Sequence, residues 1–304
     1  MQNIIKHSKK WINHNNKYKD VNRHEGELDA SAFNAKILTS LLAYESHYLK
    51  FSKQYLIGFE IEFYIKEDTV NNFIEKLCLL IPKEKMIIEN IDEVLPSDGK
   101  QFFLIQDRTG KPKKGYRSLE LISPILDSKL IPYYLENIIK LLASSDTYTD
   151  HNLGMHMHIS VPHSHPISPI SLLYFLHKHE VFNWENRQYV RDIIEQFFSY
   201  KKTNWKFIYE DIIRKCYNIN FFYFEQDNRI EYRAPGGENY LQESHKIFDS
   251  FFSILQAYED TFSTPDEEIM DLIQKEFKID KNIIDLSSLS YKELLTKEIH
   301  DLWI

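Results

Sequence analysis

GFEIEFYI, residues 58–65, reads as one β-strand. Phe59, Ile61 and Phe63 alternate with Glu60 and Glu62. Successive strand side chains point to opposite faces, so one face is apolar and the other carries two carboxylates a few ångströms apart. Taken alone, a solvated outer face accounts for such a pair. The same period of two recurs at about residues 55–66, 101–107, 116–123, 153–161, 218–224 and 228–234, which predicts six strands. Helical periodicity fills the intervals at about 69–80, 128–145, 168–180, 187–199, 204–216 and 239–262, with further helices at about 26–49, 265–277 and 290–302. Strands follow one another without an intervening helix across 101–123 and 218–234. Such neighbours are antiparallel, so the predicted fold class is α+β: a mainly antiparallel sheet of about six strands packed against helices.

The bulk composition supports a large core. Of 304 residues, 43% are hydrophobic and 14% aromatic, which excludes disorder as the default. Lys and Arg total 37 against 45 for Asp and Glu, a net charge of -8, which disfavours nucleic acid as a main partner. Cys78 and Cys216 lie far apart in apolar or aromatic surroundings, so neither a disulfide framework nor a thiolate metal site is expected, and a reducing compartment fits. The first twenty residues lack the apolar core of a signal peptide, and no run reaches the roughly 18–20 apolar residues of a membrane span. The chain therefore reads as soluble and cytoplasmic, with no membrane partner. Residues 1–50 read as a basic arm and a helix, 51–263 as the main domain, and 264–304 as a C-terminal helical extension. Ser263-Thr264-Pro265 marks that last boundary, with Thr264 expected to N-cap the next helix, Pro265 at its first position and Glu267 completing a capping box.

Three more strands share the design of the first. In NLGMHMHISV (152–161), Met155, Met157 and Ile159 alternate with His156, His158 and Ser160. In YRSLELISPIL (116–126), Glu120 stands between Leu119 and Leu121, and in NRIEYRAPGG (228–237), Glu231 and Arg233 share a face opposite Ile230 and Tyr232. Histidines paired to neighbours and a same-strand ion pair are the plain structural alternatives. His151, His163 and His165 add a zinc option, but they fall beyond the strand ends and lack the helical or knuckle spacing of zinc ligands. Together the four strands could carry Glu60, Glu62, Glu120, His156, His158, Glu231 and Arg233 on one surface. Converging carboxylates repel, and divalent cations relieve that repulsion. Carboxylate oxygens with one imidazole suit Mg²⁺ or Mn²⁺, and an arginine beside such ions suits phosphoryl transfer. DRTGKPKKGYR (107–117) carries Arg108, Lys111, Lys113, Lys114 and Arg117 around Gly110 and Gly115. It reads either as a loop that closes over phosphates or an acidic substrate, with Lys114 and Arg117 as contacts, or as a solvated basic hairpin tip. The aromatic runs FFYFEQ (221–226) and FDSFFSIL (248–255) read as core in preference to a stacking surface.

GMHMHIS (154–160) closely resembles the GMHxH strand of glutamine synthetases, and NRIEYRAPGGENYL (228–241) resembles their RIExR strand. GFEIEF (58–63) resembles the ExE strand of the superfamily that also holds glutamate-cysteine ligases. Asp107 followed by Glu120 to Pro124, together with GxHxH, looks most like the amidoligase branch. The motifs stand in the family's order and span residues 55–245. The resemblance implies a curved, glutamine-synthetase-type sheet and an ATP-dependent carboxylate-amine ligase acting through an acyl phosphate. It implies Glu60, His156 and Glu231 around the metal nearest the nucleotide, and Glu62 and Glu120, with Asp107, around a second metal. His158 and Arg233 would meet phosphate or substrate. The chain departs from true glutamine synthetase in being much shorter and in lacking its N-terminal domain and ammonia-site motifs, so ammonia plus glutamate is not the expected substrate pair. The carboxylate and amine substrates, whether small molecule, peptide or protein side chain, and the oligomeric state stay open. The rival readings are an ATP-dependent phosphotransferase such as the guanidino kinases, whose sites are richer in arginine, and a non-catalytic binding module.

Overall fold

The structure, a computed structural model, describes residues 51, 54–81, 86–89, 101–107, 109–161, 168–181, 184, 217–221, 224 and 229–278. The helices expected at 26–49, 187–199, 204–216 and 290–302 lie outside the described residues, as does Cys216. The strands are β1 (Leu56–Lys66), β2 (Met86–Glu89), β3 (Phe102–Gln106), β4 (Tyr116–Ile122), β5 (Leu126–Asp127), β6 (Thr147–Tyr148), β7 (Met155–Ser160), β8 (Ile219–Asn220) and β9 (Ile230–Tyr232). The α-helices are α1 (Val70–Leu80), α2 (Ile131–Ala143), α3 (Pro169–Lys178), α4 (Ser244–Ser263) and α5 (Asp266–Phe277).

β1 is the axis of the sheet. Ile57, Phe59, Ile61, Phe63 and Ile65 are all buried, while Gly58, Glu60 and Glu62 on the opposite parity keep partial exposure. The sheet runs β2-β3-β4-β1-β7-β9-β8, with β5 and β6 pairing with the two ends of β1. Every pairing is antiparallel except β2 with β3. Nine strands are present among the described residues, not about six. The three additions, β2, β5 and β6, are two to four residues long, too short for a period of two to register in the sequence. β8 and β9 are also shorter than the runs at 218–224 and 228–234 predict.

Four strands hold β1 along its two edges. On one edge β4 hands over to β5, and the gap is closed by Ser123, whose N–H donates to the Phe59 carbonyl and whose Oγ accepts from the Phe59 N–H, both at 2.8 Å. Pro124, which has no N–H to give to a ladder, falls in that break. On the other edge β7 hands over to β6, and the Glu62 N–H donates to the Gly154 carbonyl between them at 3.0 Å.

The apolar face of the sheet is covered by helices. Phe63 meets Phe73 of α1 with ring centroids 5.4 Å apart, and Phe102 meets Tyr134 of α2 at 4.9 Å. Tyr258 of α4 packs on Tyr55 at 5.7 Å and donates its hydroxyl to the Ile159 carbonyl. Phe221, Phe224, Phe251 and Phe252 are core residues, as their sequence context suggests. α5 buries Ile269 and Ile273 in the same core, and Asp266 at its start accepts from Ser171 Oγ at 2.9 Å. The expected capping box is displaced by one residue. Pro265 occupies the cap position without a side-chain bond, Thr264 closes α4 with its N–H on the Asp260 carbonyl, and Asp266, Glu267 and Glu268 place negative charge in the first turn. Among the described residues no helix is long and apolar enough to cross a membrane.

The stability of this arrangement rests on the buried face. Phe63→Ala is expected to lower unfolding free energy by about 3–5 kcal/mol, whereas Ile125→Ala, at a largely exposed side chain, shifts it by less than about 0.5 kcal/mol in denaturant titration. Similar small shifts for both would contradict the assignment of the Phe63 parity to the core.

Candidate active site

The register of four adjacent strands assembles the polar face. Glu62 of β1 lies opposite Glu120 of β4, Glu60 of β1 lies opposite His156 of β7, and His158 of β7 lies opposite Glu231 of β9. Directly opposed side chains have Cβ atoms roughly 4.5–5.5 Å apart, so these pairs meet without any loop having to position them.

Glu60, His156, His158, Glu231 and Arg233 compensate one another locally. His156, only 8% exposed, places Nδ1 3.0 Å from Glu60 Oε2 and 3.9 Å from Glu231 Oε1. His158 Nε2 lies 3.3 Å from Glu60 Oε1. Its Nδ1 is buried with no hydrogen-bond partner among the described residues. Arg233 Nη1 bonds Glu231 Oε1. Burial works to raise the pKa of Glu60, but hydrogen bonds and charge from His156 and His158 outweigh it and hold the carboxyl well below the ordinary carboxylate range. Glu120 has no such partner among the described residues: burial, then repulsion from Glu60, Glu62 and Asp107, pushes it up to about 8. At neutral pH it is largely a neutral acid.

Gly154, the first residue of the GMHMHIS motif, and Tyr240, which the sequence did not single out, hold Glu62. The Gly154 N–H donates to Glu62 Oε2 at 2.8 Å, and Tyr240 Oη bonds both the Glu62 and Gly154 carbonyls at 3.0 and 3.1 Å. The segment after β9 is thereby tied to the start of β7, and Gly154 also bridges Gly236. Gly237, at φ +100°, takes a left-handed conformation that glycine adopts without strain. Tyr240 carried a weak signal at best, since an ENYL segment after a strand gives no hint of a long-range hydroxyl.

The structure thus brings Glu60, Glu62, Glu120, His156, His158, Glu231 and Arg233 to one face. It places three other candidates differently. Arg117 is the register partner of Ile65, on the opposite side of β4 from Glu120, with Nε 3.9 Å from Glu67 Oε1. Lys114 is exposed in the β3–β4 hairpin. Asp107, 8% exposed, shares the face by parity but is enclosed by its own loop: Oδ1 accepts from Thr109 N–H and Oγ1, and Oδ2 from Gly110 N–H and Ser118 Oγ.

Among the described residues no three acidic, His or Cys side chains converge as a ready-made metal cage. The reason is visible in the pairing: Glu60 is drawn to the two imidazoles and Glu231 to Arg233. The donor set nevertheless fits hard divalent ions. It offers carboxylate oxygens with one imidazole, a buried imidazole nitrogen without a partner, and a carboxyl that takes up a proton where a cation would otherwise neutralise it.

No family model matches the chain, and no curated protein matches its sequence. Solved structures that resemble it include a novel glutamine synthase homolog, at 10% identity and a TM-score of 0.34 over 80% of this chain and 65% of that one. Another is the glutamine synthetase of Plasmodium falciparum, at 12% identity and a TM-score of 0.29 over 77% and 57%. The chain spans less than two thirds of the length of either.

Glu120 gives the face a pH signature. Its pKa in the folded protein lies near 8, above the ordinary 4.5, so in that window the folded state keeps a proton that the unfolded chain has released. Stability therefore falls as pH rises from 4.5 through 8. In chelator-treated protein, Glu120→Gln and the parent should melt alike at about pH 4, and the variant should melt higher at about pH 9. A variant that melts lower than the parent at the alkaline end would contradict the burial and repulsion described.

Proposed function

We propose that the chain is an ATP-dependent carboxylate-amine ligase that uses Mg²⁺ or Mn²⁺ on the acidic face of its sheet. The observation that carries this reading is the register itself. Glu60 with His156, Glu62 with Glu120, and His158 with Glu231 stand in three cross-strand pairs on one surface, in the motifs whose resemblance is to the amidoligase branch of the glutamine synthetase superfamily. In this reading Glu60, His156 and Glu231 hold one ion, and Glu62 and Glu120 hold a second. Bound there, the ions supply charge neutralisation for phosphates and for the substrate carboxylate.

The residues of the chain have separate tasks. Arg233, held at the end of β9 by Glu231, presents a guanidinium to the transferring phosphoryl group, where fixed positive charge is worth most. His158, partly exposed with Nε2 3.3 Å from Glu60 Oε1, is the imidazole that meets phosphate or substrate in this reading. Gly154 and Tyr240 fix Glu62 in place, which keeps the second ion site preset. The overall reaction joins a carboxylate to an amine by way of an acyl phosphate and releases ADP and phosphate. We read the chain as a cytoplasmic protein whose partners are carboxylate and amine substrates, with no nucleic-acid or membrane partner, in keeping with its net charge of -8.

Incubation with ATP, Mg²⁺ and mixtures of carboxylates and amines should release ADP together with the mass of an amide product, and Glu231→Ala should lower that release at least about 100-fold. Release of AMP and pyrophosphate would contradict the acyl phosphate. ADP formation with a phosphorylated acceptor and no amide would favour a phosphotransferase.

A further inference from the structure

The basic hairpin between β3 and β4 is built as a fixed element. Asp107 is the centre of that construction. A carboxylate has roughly four acceptor positions, and four protein donors meet it: Thr109 N–H at 2.7 Å, Thr109 Oγ1 at 2.6 Å, Gly110 N–H at 3.1 Å and Ser118 Oγ at 2.8 Å. The Asp107 N–H in turn donates to the Ser118 carbonyl at 3.1 Å. Gly110 is obligatory here, because a Cβ would lie 2.0 Å from Ser118 Oγ and 2.9 Å from Asp107 Oδ2.

Further along, the hairpin is bonded to the sheet at several points. The Lys111 N–H donates to Tyr64 Oη at 3.0 Å and the Lys113 N–H to Tyr148 Oη at 2.8 Å. Lys113 Nζ sits 4.5 Å from the Tyr148 ring centroid. The Glu67 N–H donates to the Gly115 carbonyl at 2.9 Å, and Gly115 turns the chain at φ +84°. Tyr64 and Tyr148 are themselves cross-strand partners, and Tyr64 shares a face with Glu62 two residues away. A loop that closes over a ligand needs few such bonds. This one is held at several points, and it exposes Lys111, Lys113 and Lys114 on a hairpin whose backbone is bonded to Tyr64, two residues from Glu62 on the same face of β1.

We infer that Asp107 is a positioning residue, not a metal ligand, and that it pins the hairpin as a preset lysine ledge that receives an oxyanion of the bound ligand. A cation at Asp107 would have to displace donors that already satisfy both carboxylate oxygens. Only the place of that ligand rests on the ligase reading; the rigidity of the ledge does not. Phosphate and carboxylate share the chemistry that lysines recognise, and probes of each kind tell them apart.

The experiment compares the full chain with Asp107→Asn and with a Lys113→Ala/Lys114→Ala double variant. Trypsin cleavage after Lys113 and Lys114 is mapped by mass, Mn²⁺ affinity is read by electron paramagnetic resonance, and binding of inorganic pyrophosphate and of glutarate is measured by calorimetry with and without Mn²⁺. Asp107→Asn should speed cleavage at least about tenfold while leaving Mn²⁺ affinity within about twofold. It should weaken one of the two oxyanions at least about fivefold, as the double lysine variant does. Loss confined to pyrophosphate assigns the ledge to the nucleotide, and loss confined to glutarate assigns it to the carboxylate substrate. A tenfold or greater loss of Mn²⁺ affinity in Asp107→Asn, unchanged cleavage, or a double lysine variant that binds both oxyanions normally would each overturn the inference. If the parent chain bound no Mn²⁺, the ligase reading would fail, and cleavage and oxyanion binding would still judge the ledge.

Discussion

Like charge confined to one side of a sheet is the constraint around which this protein is arranged. Neighbouring strands lie about 4.7–4.9 Å apart, and β4, β1, β7 and β9 are consecutive neighbours, so Glu120, Glu62, Glu60 and Glu231 cannot avoid one another by moving as strands. The chain reduces the repulsion locally in three ways. Two imidazoles attend Glu60, an arginine attends Glu231, and Glu120 takes up a proton. A purely structural sheet gains nothing from such a row, since an apolar or mixed surface would avoid the repulsion altogether. Divalent cations could replace every one of these compensations at once, which is why the arrangement reads as a site for them.

Rigidity behind the face gives that reading its chemical meaning. Phosphoryl transfer depends on charges that are already in position when the reaction begins. Here the position is set by a buried aromatic and aliphatic layer on the far side of β1, by Ser123 and Gly154 closing the breaks along its two edges, and by Tyr240 tying the segment after β9 to the Glu62 backbone. The β3–β4 hairpin is tied to the same sheet beyond Glu62 by the Lys111 and Lys113 N–H groups on Tyr64 and Tyr148. The side chains of the polar face are therefore held by strands.

β1 was legible because apolar and carboxylate side chains alternate from Phe59 to Phe63, and Leu119-Glu120-Leu121 in β4 and Met155 to Ile159 in β7 alternate apolar with polar side chains in the same way. The seven residues of the polar face could be listed from parity alone. Their pairing could not, because register depends on where β4, β7 and β9 begin, and no local signal carries that. Arg117 illustrates a signal that was present and passed over: counting by twos from Glu120 reaches Ser118 and Tyr116, not Arg117. Asp107 is similar, since Asp-x-Thr-Gly is a sequence in which an aspartate bonds its own following backbone, and the structure shows those bonds. The short strands β2, β5 and β6 left no period to read, and the shift of α5 by one residue reflects a proline that ends up as the cap itself.

The acidic face of the sheet is proposed as a divalent-cation surface. Counting the Mn²⁺ ions bound per chain at neutral pH, with Glu60→Gln and Glu62→Gln beside the parent, tests it most directly. Two ions are expected in the parent, with the loss of a different one in each variant. Absence of binding in the parent, or binding that neither substitution alters, would contradict it.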